Sequence, residues 1–219
     1  KWSKWLGVKY SVFVNSGSSA NLLSLSYLKT KFKKGEIIVP SLTWVSDITS
    51  ILYNGFKPVF VDVNLHNLSA NYESIKKSIN KNTIAVFLTH ALGFNALSDN
   101  LLKLIKKKKL VLIEDVCEAH GAKFKNKKLG SFGKISNFSF YFAHHMSTIE
   151  GGMVCTNDKN IYDIIKVMRS HGMIRESADV LKKKKFFKKY NNLNKDFIFA
   201  YPGYNFRSTE INAVYGINQ

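Results

Sequence analysis

The sequence is poor in cysteine, proline and long apolar runs. Cys117 and Cys155 are its only cysteines, and their spacing fits no zinc or haem motif, which favours free thiols in a reducing compartment. No apolar stretch approaches the ~18 uncharged residues that a membrane span needs, and the first residues, KWSKWLGVKY, contain no signal-peptide core. We therefore expect a globular, cytoplasmic protein without a membrane segment.

Arginine is also scarce, although the chain is strongly basic. The net charge is +18, yet arginine occurs only at positions 169, 175 and 207. Proteins that read nucleic acids usually depend on Arg for bidentate contacts to bases and phosphates. The Lys runs at 106–109 and 182–185 carry no aromatic ladder or recognition motif. The pattern favours solvated Lys faces over a nucleic-acid surface, so no nucleic-acid partner is expected.

Short runs of β-branched residues alternate with longer helical patterns along the first half of the chain. This alternation is typical of an α/β domain with a mostly parallel sheet flanked by helices. The predicted strands are 8–15, 37–39, 58–63, 83–89 and 110–114, and the predicted helices are 18–31, 43–53, 72–79 and 98–107. Further along, we predict strands at 137–142 and 152–156, a helix at 158–169 and a last helix from about residue 208.

Both ends of the sequence lie in helical patterns. KWSKWLG resembles the end of a helix, and the last predicted helix runs to Gln219. No linker rich in Pro, Ser or Gly and no internal repeat divides the chain. We expect residues 1–219 to form most of one large domain of a longer protein.

The segment NSGSSAN at 15–21 joins a predicted strand to a predicted helix. It combines Gly17, which allows close approach of a ligand, with the hydroxyls of Ser18 and Ser19. Together with backbone N–H groups at a helix N-terminus, these features suit a phosphate. The same residues also fit an ordinary serine N-cap, and the segment is neither a Walker loop nor a GxGxxG fingerprint.

Acidic residues follow the strand predicted at 110–114. In open α/β sheets ligands bind outside the carboxyl ends of the strands, so Asp115 and Glu118 in IEDVCEAHGA would face a crevice. A strand-end Asp is also a common N-cap. Glu118 and His120 have no second cluster in matching register, so no metal site is expected.

Two adjacent histidines, His144 and His145, lie in the segment FSFYFAHHMSTIEGG at 138–152. Hydroxyl groups and the sequence Glu-Gly-Gly follow them, between two apolar strands. Because the side chains of adjacent residues point in different directions, at most one of the two imidazoles is expected to face a site.

The order of these motifs resembles that of the fold-type I PLP-dependent enzymes that act on nucleotide-linked keto sugars, the sugar aminotransferase and dehydratase family. The resemblance covers essentially the whole chain. It implies the PLP-binding large domain of that fold, with the small C-terminal domain and the N-terminal helix that closes the site absent from the chain. It also implies a homodimer whose active site is shared across the interface. The segments that carry it are NSGSSAN, PSLTWVSD, IEDVCEAHGA, SNFSFYFAHHMSTIEGGMV, RSHGMIRE and PGYNFRSTEINAVYG.

The family's aminotransferases bind PLP covalently through a Lys in the segment where this sequence has His144. A His at that place resembles the family's sugar 3-dehydratases. Imidazole can shuttle protons but cannot bind PLP as a Lys does, so the resemblance implies non-covalent PLP or PMP and a catalytic His144. The implied reaction removes the C3 hydroxyl of a nucleotide-linked 4-keto-6-deoxy sugar, such as GDP-4-keto-6-deoxy-D-mannose, with glutamate as amino donor.

The resemblance also implies roles for further positions. Asp115 would pair with the pyridine nitrogen of PLP, Trp44 would stack on the ring, and Glu118 would lie near the phenolic oxygen. The residues that would hold the phosphate are Ser18, Ser19 and Ser139. The residues that would reach a partner subunit's site are Asn205, near the cofactor, and His171, Arg175 and Arg207, near the substrate.

Alternatives remain within the same fold. A [2Fe–2S] cluster, found in one relative of this class, needs four Cys ligands, and the two cysteines of this chain favour a cluster-free enzyme. A 4-aminotransferase with an unusual base and a non-catalytic relative that uses the pocket only for binding both stay open. The presence of Asp115, Trp44 and Ser139 favours an enzyme over the non-catalytic relative.

Overall fold

The computed structural model describes all 219 residues and places a seven-stranded sheet at the centre of the chain. Its strands are β1 (Tyr10–Val14), β2 (Glu36–Pro40), β3 (Lys57–Val61), β4 (Thr83–Thr89), β5 (Val111–Asp115), β8 (Ile135–Ser139) and β9 (Gly152–Thr156). A separate hairpin pairs β6 (Lys123–Phe124) with β7 (Lys127–Lys128).

The sheet is mostly parallel. Its strand order is β1-β9-β8-β5-β4-β2-β3, and only β9 runs antiparallel to its two neighbours. The strands β3, β2, β4, β5 and β8 pair in parallel register. The predicted α/β fold with a mostly parallel sheet is therefore confirmed.

Eight α-helices accompany the sheet. They are α1 (Trp2–Leu6), α2 (Gly17–Lys29), α3 (Val45–Tyr53), α4 (Tyr72–Ser78), α5 (Asp99–Lys108), α6 (Lys159–Arg169), α7 (Val180–Lys189) and α8 (Glu210–Ile217). None of these helices combines the length and the apolar character that crossing a bilayer requires.

The helices cover both faces of the sheet because successive strand residues point to opposite sides. On one face, Ile37 of β2 and Phe87 of β4 pack in a core with residues of α2, α3 and α6. On the other face, Ile38 and Leu88 pack with α1, α4 and α5. All four side chains are fully buried, and each such burial contributes about 1.5–3 kcal/mol to stability.

The observed elements match the predicted ones except at some boundaries and at α7, which is not among the predicted helices. The strand predicted at 137–142 is β8, which begins at Ile135 and ends at Ser139. The chain turns away from the sheet after this strand, where the Ser139 hydroxyl accepts a hydrogen bond from the Tyr141 N–H. The β6–β7 hairpin was not predicted, because strands of two residues show no periodicity.

The strand directions bring the site together. The carboxyl ends of β1, β2, β4, β5 and β8 all lie at one edge of the sheet, where the antiparallel β9 begins. The turn before α2, the residues before α3 and the segments that follow β4, β5 and β8 therefore meet at this edge, which is where open α/β sheets bind ligands.

Candidate active site

A pocket of about 620 Å³ opens at the carboxyl edge of the sheet. Its lining residues come from the starts of α2 and α3 and from the segments that follow β4, β5 and β8. The predicted site residues that line it are Ser18, Trp44, Asp115, Glu118, Ser139 and His144. The structure thus brings together side chains that are widely separated in the sequence.

The N-terminus of α2 forms one wall of the pocket. Ser16 is the N-cap, and its hydroxyl accepts a hydrogen bond from the Ser19 N–H at 3.0 Å, while its carbonyl accepts from the Ala20 N–H. The N–H groups of Gly17 and Ser18 have no acceptor within the helix, because the first amides of a helix lack one. Free amides at the start of a helix can bind an anion, and Gly17 and Ser18 both line the pocket.

Gly17 lets the start of α2 approach the end of β8 and the segment after β5 closely. A Cβ at this position would lie 2.6 Å from Ser139 Cβ and 2.9 Å from Cys117 Sγ. The backbone of β9 approaches equally closely, since a Cβ on Gly152 would lie 2.2 Å from the Ser16 carbonyl oxygen. These close approaches bring the Ser139 hydroxyl next to the first turn of α2, and the two together form a candidate phosphate cradle.

Ser19 is the exception among the three predicted phosphate-binding serines. Its side chain is buried, it does not line the pocket, and its hydroxyl accepts a hydrogen bond from the Ser16 hydroxyl at 3.0 Å. The N-cap residue Ser16, which was not predicted as a site residue, lines the pocket in its place. The role of Ser19 at a phosphate stays a prediction.

Asp115 is the last residue of β5 and is only 4% exposed. Both of its carboxylate oxygens accept hydrogen bonds at 2.9 Å, one from the Cys117 N–H and the other from the Asn21 side-chain amide. Its neighbour Glu114 points elsewhere. That carboxylate is fully buried and accepts from the N–H groups of Gly130 and Phe132 and from His90.

The Glu114–His90 pair fixes the loops around the pocket. His90 Nδ1 accepts a hydrogen bond from the Ala96 N–H at 3.2 Å, so the ring proton is on Nε2 and is donated to Glu114 at 3.1 Å. Of the two acids that end the strand, only Asp115 lines the pocket, whereas Glu114 holds the neighbouring loops to the sheet.

A second buried acid, which no sequence motif marks, shares a hydrogen-bond donor with Asp115. Asp47, in the first turn of α3, is fully buried and accepts a hydrogen bond from the same Asn21 amide nitrogen at 2.7 Å. Burial and the charge of Asp115 raise the pKa of Asp47 well above its usual value. An acidic residue in the first turn of a helix usually signals only a favourable helix-dipole contact, so the sequence offered no sign of this pairing.

Trp44 and Glu118 form parts of the pocket rim. Trp44 is the N-cap residue of α3, and its side chain is 66% exposed at the pocket, where an aromatic face can stack on a planar ligand. Glu118 Oε2 accepts a hydrogen bond from the Leu92 N–H at 2.7 Å. Glu118 thereby ties the turn Ala91–Gly93, which also lines the pocket, to the segment after β5.

The two adjacent histidines are separated by the structure. His144 is half-buried and lines the pocket, whereas His145 is exposed and lines a second cavity of about 630 Å³ next to His120. Burial lowers the pKa of His144 below its usual value, and His145 acts in the same direction, while Glu118 and Asp115 oppose the shift. His144 is therefore a neutral imidazole at neutral pH that can accept a proton.

His120, the third histidine of this region, belongs to an apolar environment. Its ring packs against Trp2, Phe138 and Phe140. Burial, followed by the neighbouring His145 and His144, lowers the pKa of His120 to about 4. The ring is therefore neutral at neutral pH, and it lies outside the lining of the main pocket.

The four residues predicted to act across an interface lie outside the pocket of their own chain. All four are exposed: His171, Arg175, Asn205 and Arg207. Asn205 is held beside Ser170 by a β-bridge, and its side-chain oxygen accepts a hydrogen bond from Arg207 Nε at 3.0 Å. None of the four lines the pocket, so their roles stay predictions.

The profile of the DegT/DnrJ/EryC1/StrS aminotransferase family matches residues 1–219. The chain belongs to this family. The family membership expected from the motifs is thus confirmed, and the fold agrees with it, because solved structures of the family's enzymes superpose on nearly all of the chain.

Among the relatives, GDP-4-keto-6-deoxy-D-mannose 3-dehydratase of Escherichia coli O55:H7 is 37% identical over 226 residues, which cover the whole chain and 58% of the relative. GDP-perosamine synthase of Escherichia coli O157:H7 is 32% identical and matches the whole chain and 55% of its own length. The chain therefore spans a little over half the length of the curated relatives it matches.

A solved structure of the E. coli 3-dehydratase, with bound hydrated PLP, superposes with a TM-score of 0.88 at 34% identity. A structure of GDP-4-keto-6-deoxymannose-3-dehydratase with a trapped PLP–glutamate geminal diamine superposes with a TM-score of 0.89 at 35% identity. Each match covers 99% of this chain and 57% of the solved one.

Proposed function

We propose that this chain forms the cofactor-binding part of a PLP- or PMP-dependent 3-dehydratase that removes the C3 hydroxyl of a nucleotide-linked 4-keto-6-deoxy sugar. The observation that carries the proposal is the composition of the pocket. None of its 19 lining residues is a lysine, and His144 is among them. Such a pocket can transfer protons but cannot bind PLP covalently through a side-chain amine.

The residues of the pocket fit PLP. The first amides of α2 and the hydroxyls of Ser18 and Ser139 suit its phosphate, and Gly17 permits the close approach of α2 to Ser139. Asp115 supplies a buried carboxylate for the pyridine nitrogen, and the exposed ring of Trp44 supplies a stacking surface. The three groups lie in one pocket, as a single bound molecule requires.

When bound, PLP or its amine form PMP supplies an electron sink next to the sugar. Asp115 keeps the pyridine nitrogen protonated, because two N–H donors fix its carboxylate in the pocket. Trp44 shields one face of the ring from water. Glu118, anchored to Leu92, lies where it can favour the charged form of His144.

His144 moves the proton that the reaction needs. Because its pKa is lowered, the imidazole is neutral at neutral pH and can accept a proton from the C4′ carbon of the cofactor. The protonated ring can then donate this proton to the departing C3 hydroxyl. The charges of Glu118 and Asp115 stabilise the imidazolium between the two transfers.

The substrate that we propose is GDP-4-keto-6-deoxy-D-mannose, and the amino donor is glutamate. The name of the E. coli relative and the PLP–glutamate adduct in a solved structure support these two choices. Both cysteines of the chain are free thiols, which fits the cytoplasm.

We also propose that the protein acts as a homodimer. Asn205, His171, Arg175 and Arg207 are exposed and lie outside the pocket of their own chain. This placement supports a role at the site of a partner subunit, with Asn205 near the cofactor and the three basic residues near the anionic nucleotide sugar. Residues 1–219 would then be most of the large domain of each subunit.

The product of the reaction tests the proposal. The protein is incubated with PLP, glutamate and GDP-4-keto-6-deoxy-D-mannose, and the sugar is analysed by mass spectrometry. Loss of the C3 oxygen supports a dehydratase. Gain of an amine at C4 would instead indicate an aminotransferase, the activity that the name of the GDP-perosamine synthase relative suggests, and an unchanged sugar would favour a binding role.

A further inference from the structure

One amide nitrogen joins two buried carboxylates beneath the pocket. Asn21 Nδ2 lies 2.9 Å from Asp115 Oδ2 and 2.7 Å from Asp47 Oδ1, and it also lies 3.1 Å from the Ser46 hydroxyl. Asn21, Asp47 and Asp115 are 1%, 0% and 4% exposed. No Lys, Arg or His side chain forms an ion pair with either acid.

The second oxygen of Asp47 shows which acid carries a proton. Asp47 Oδ2, Thr43 Oγ1 and Thr89 Oγ1 are mutually within hydrogen-bond distance, with 2.8 Å from Thr89 to Asp47 and 2.6 Å between the two threonines. The two threonine hydroxyls supply two protons for these three close oxygen contacts, so a proton on the Asp47 carboxyl group would complete the set.

A neutral Asp47 agrees with its surroundings. Two carboxylates linked by one amide and buried without a cation cannot both be charged at low cost. Asp115 accepts N–H donors from Asn21 and Cys117, which stabilise the charged form. The negative charge therefore resides on Asp115, which lines the pocket, and not on Asp47, which does not.

Asn21 depends on Asp47 for its orientation. Its side-chain oxygen is buried and has no hydrogen-bond partner, so the amide is held through its nitrogen alone. One N–H is donated to Asp47 and the other to Asp115. If Asp47 no longer accepted the first N–H, nothing else in the structure except the more distant Ser46 hydroxyl would keep the second directed at Asp115.

We propose that Asp47 is a positioning residue for Asp115. Asp47 is a neutral acid that is hydrogen-bonded to Thr43 and Thr89, and it fixes the orientation of the Asn21 amide. That amide in turn holds the Asp115 carboxylate as the single negative charge that faces the pyridine nitrogen of the cofactor. This inference rests on the proposed function, because it assumes that the pocket binds PLP. It adds Asp47, Asn21, Thr43 and Thr89 to the residues that set the protonation of the cofactor.

The protein loaded with PLP labelled with ¹⁵N at the pyridine nitrogen tests the proposal, because the NMR shift of that nitrogen reports its protonation without turnover. Asp47→Asn copies a neutral acid: its oxygen can accept from Asn21, and its amide can donate to the threonine oxygens. We expect Asp47→Asn to keep the nitrogen protonated across the neutral pH range and to bind PLP as the unmodified protein does.

Asp47→Ala and Asn21→Ala remove the support of Asp115. In both variants we expect the pyridine nitrogen to lose its proton at a lower pH and PLP to bind about tenfold more weakly, the effect of one lost hydrogen bond to a charged group. Thr89→Val removes one hydroxyl at nearly constant shape, and it should also lower the pH at which the pyridine nitrogen loses its proton, by a smaller amount. This variant covers the case in which the alanine variants do not fold.

The controls separate this inference from the proposed function. Asp115→Asn should abolish protonation of the nitrogen. If it does so while Asp47→Ala, Asn21→Ala and Thr89→Val leave the shift of the nitrogen unchanged, the positioning role of Asp47 is wrong and the cofactor site stands. If Asp115→Asn also leaves the shift unchanged, or PLP does not bind, the proposed function fails. If Asp47→Asn behaves like Asp47→Ala, Asp47 is the charged acid and the proton assignment is wrong.

Discussion

His144 and His145 are adjacent in the chain, yet their imidazole rings line two different cavities. The turn after β8 directs the first ring to the pocket that contains Asp115 and Glu118 and leaves the second exposed beside His120. His144→Asn and His145→Asn therefore form a matched pair of variants that tests the proton-transfer role, because both change a histidine in the same turn.

His144→Asn should lower the rate of dehydration by ~10²–10⁴-fold, the usual contribution of a general base. PMP and the keto sugar should still bind, because the phosphate cradle, Trp44 and Asp115 are unchanged. His145→Asn should have a mild effect. The measurement is the single-turnover loss of PMP absorbance. An inactive His145→Asn variant beside an active His144→Asn variant would mean that the two histidines have been assigned the wrong way round.

The pH dependence of the same step follows from the lowered pKa of His144. A base must be unprotonated to act, so the single-turnover rate should be constant at neutral pH and should fall as the pH drops through the pKa of His144. Because burial lowers this pKa, the fall should occur below the usual histidine value of ~6.5. A midpoint above that value would contradict the role of His144 as an unprotonated base.

Gly17→Ala should weaken PLP binding by at least about tenfold, because the added Cβ would meet Ser139 Cβ at 2.6 Å and push Ser139 away from the first amides of α2. Gly35→Ala is the matched control: its Cβ would meet the Ile84 side chain at 2.7 Å, away from the pocket. The dissociation constant of PLP is measured by absorbance titration. Equal affinities in the two variants would show that the phosphate binds elsewhere.

Asp163 anchors the start of α7 and gives a prediction about stability. It is buried and accepts hydrogen bonds from Ser177 Oγ at 2.6 Å, from the Ala178 N–H at 2.7 Å and from Lys182 Nζ at 2.8 Å. Burial alone would raise the pKa of Asp163, but the hydrogen bonds of Lys182 and Ser177 and the charge of Lys182 outweigh it and lower the pKa.

A lowered pKa of Asp163 stabilises the fold above the unfolded-state value of ~3.9, and this contribution is lost as the pH falls through the folded-state value. Asp163→Asn should therefore lower the free energy of unfolding by about 3 kcal/mol at neutral pH, and the difference should narrow below pH ~4. Urea unfolding at neutral pH and below pH ~4 measures the difference in the free energy of unfolding between the variant and the unmodified protein. As a control, Glu73→Gln breaks the exposed ion pair with Lys76 and should change the free energy of unfolding little. If the destabilisation by Asp163→Asn stays constant with pH, the charge of Asp163 is not the source of its stabilising effect.

The sequence was sufficient to predict the fold because its signals are local. Short runs of β-branched residues predict the strands, and serine, asparagine or aspartate residues cap most of the longer helices. The β6–β7 hairpin escaped prediction because its turn residues, Lys125 and Asn126, both adopt positive φ angles without the glycine that normally signals such a turn.

The candidate site was predictable in part. Asp115, Glu118 and Ser139 follow strands at the carboxyl edge, and the topology of an α/β sheet brings such positions together. The pairing of Asp47 with Asp115 was not predictable, because it depends on how α2 and α3 pack at that edge and on one shared amide, Asn21. Sequence patterns show that a helix residue is acidic, but they do not show which distant side chain it meets.

In the proposed function, the pocket binds PLP without a covalent bond, because His144 lines it and no lysine does. Borohydride reduction of the PLP-loaded protein followed by peptide mass mapping tests it most directly. We predict no pyridoxyl adduct on the unmodified protein, and a stable adduct at residue 144 in the His144→Lys variant. A specific pyridoxyl-lysine in the unmodified protein would contradict the account.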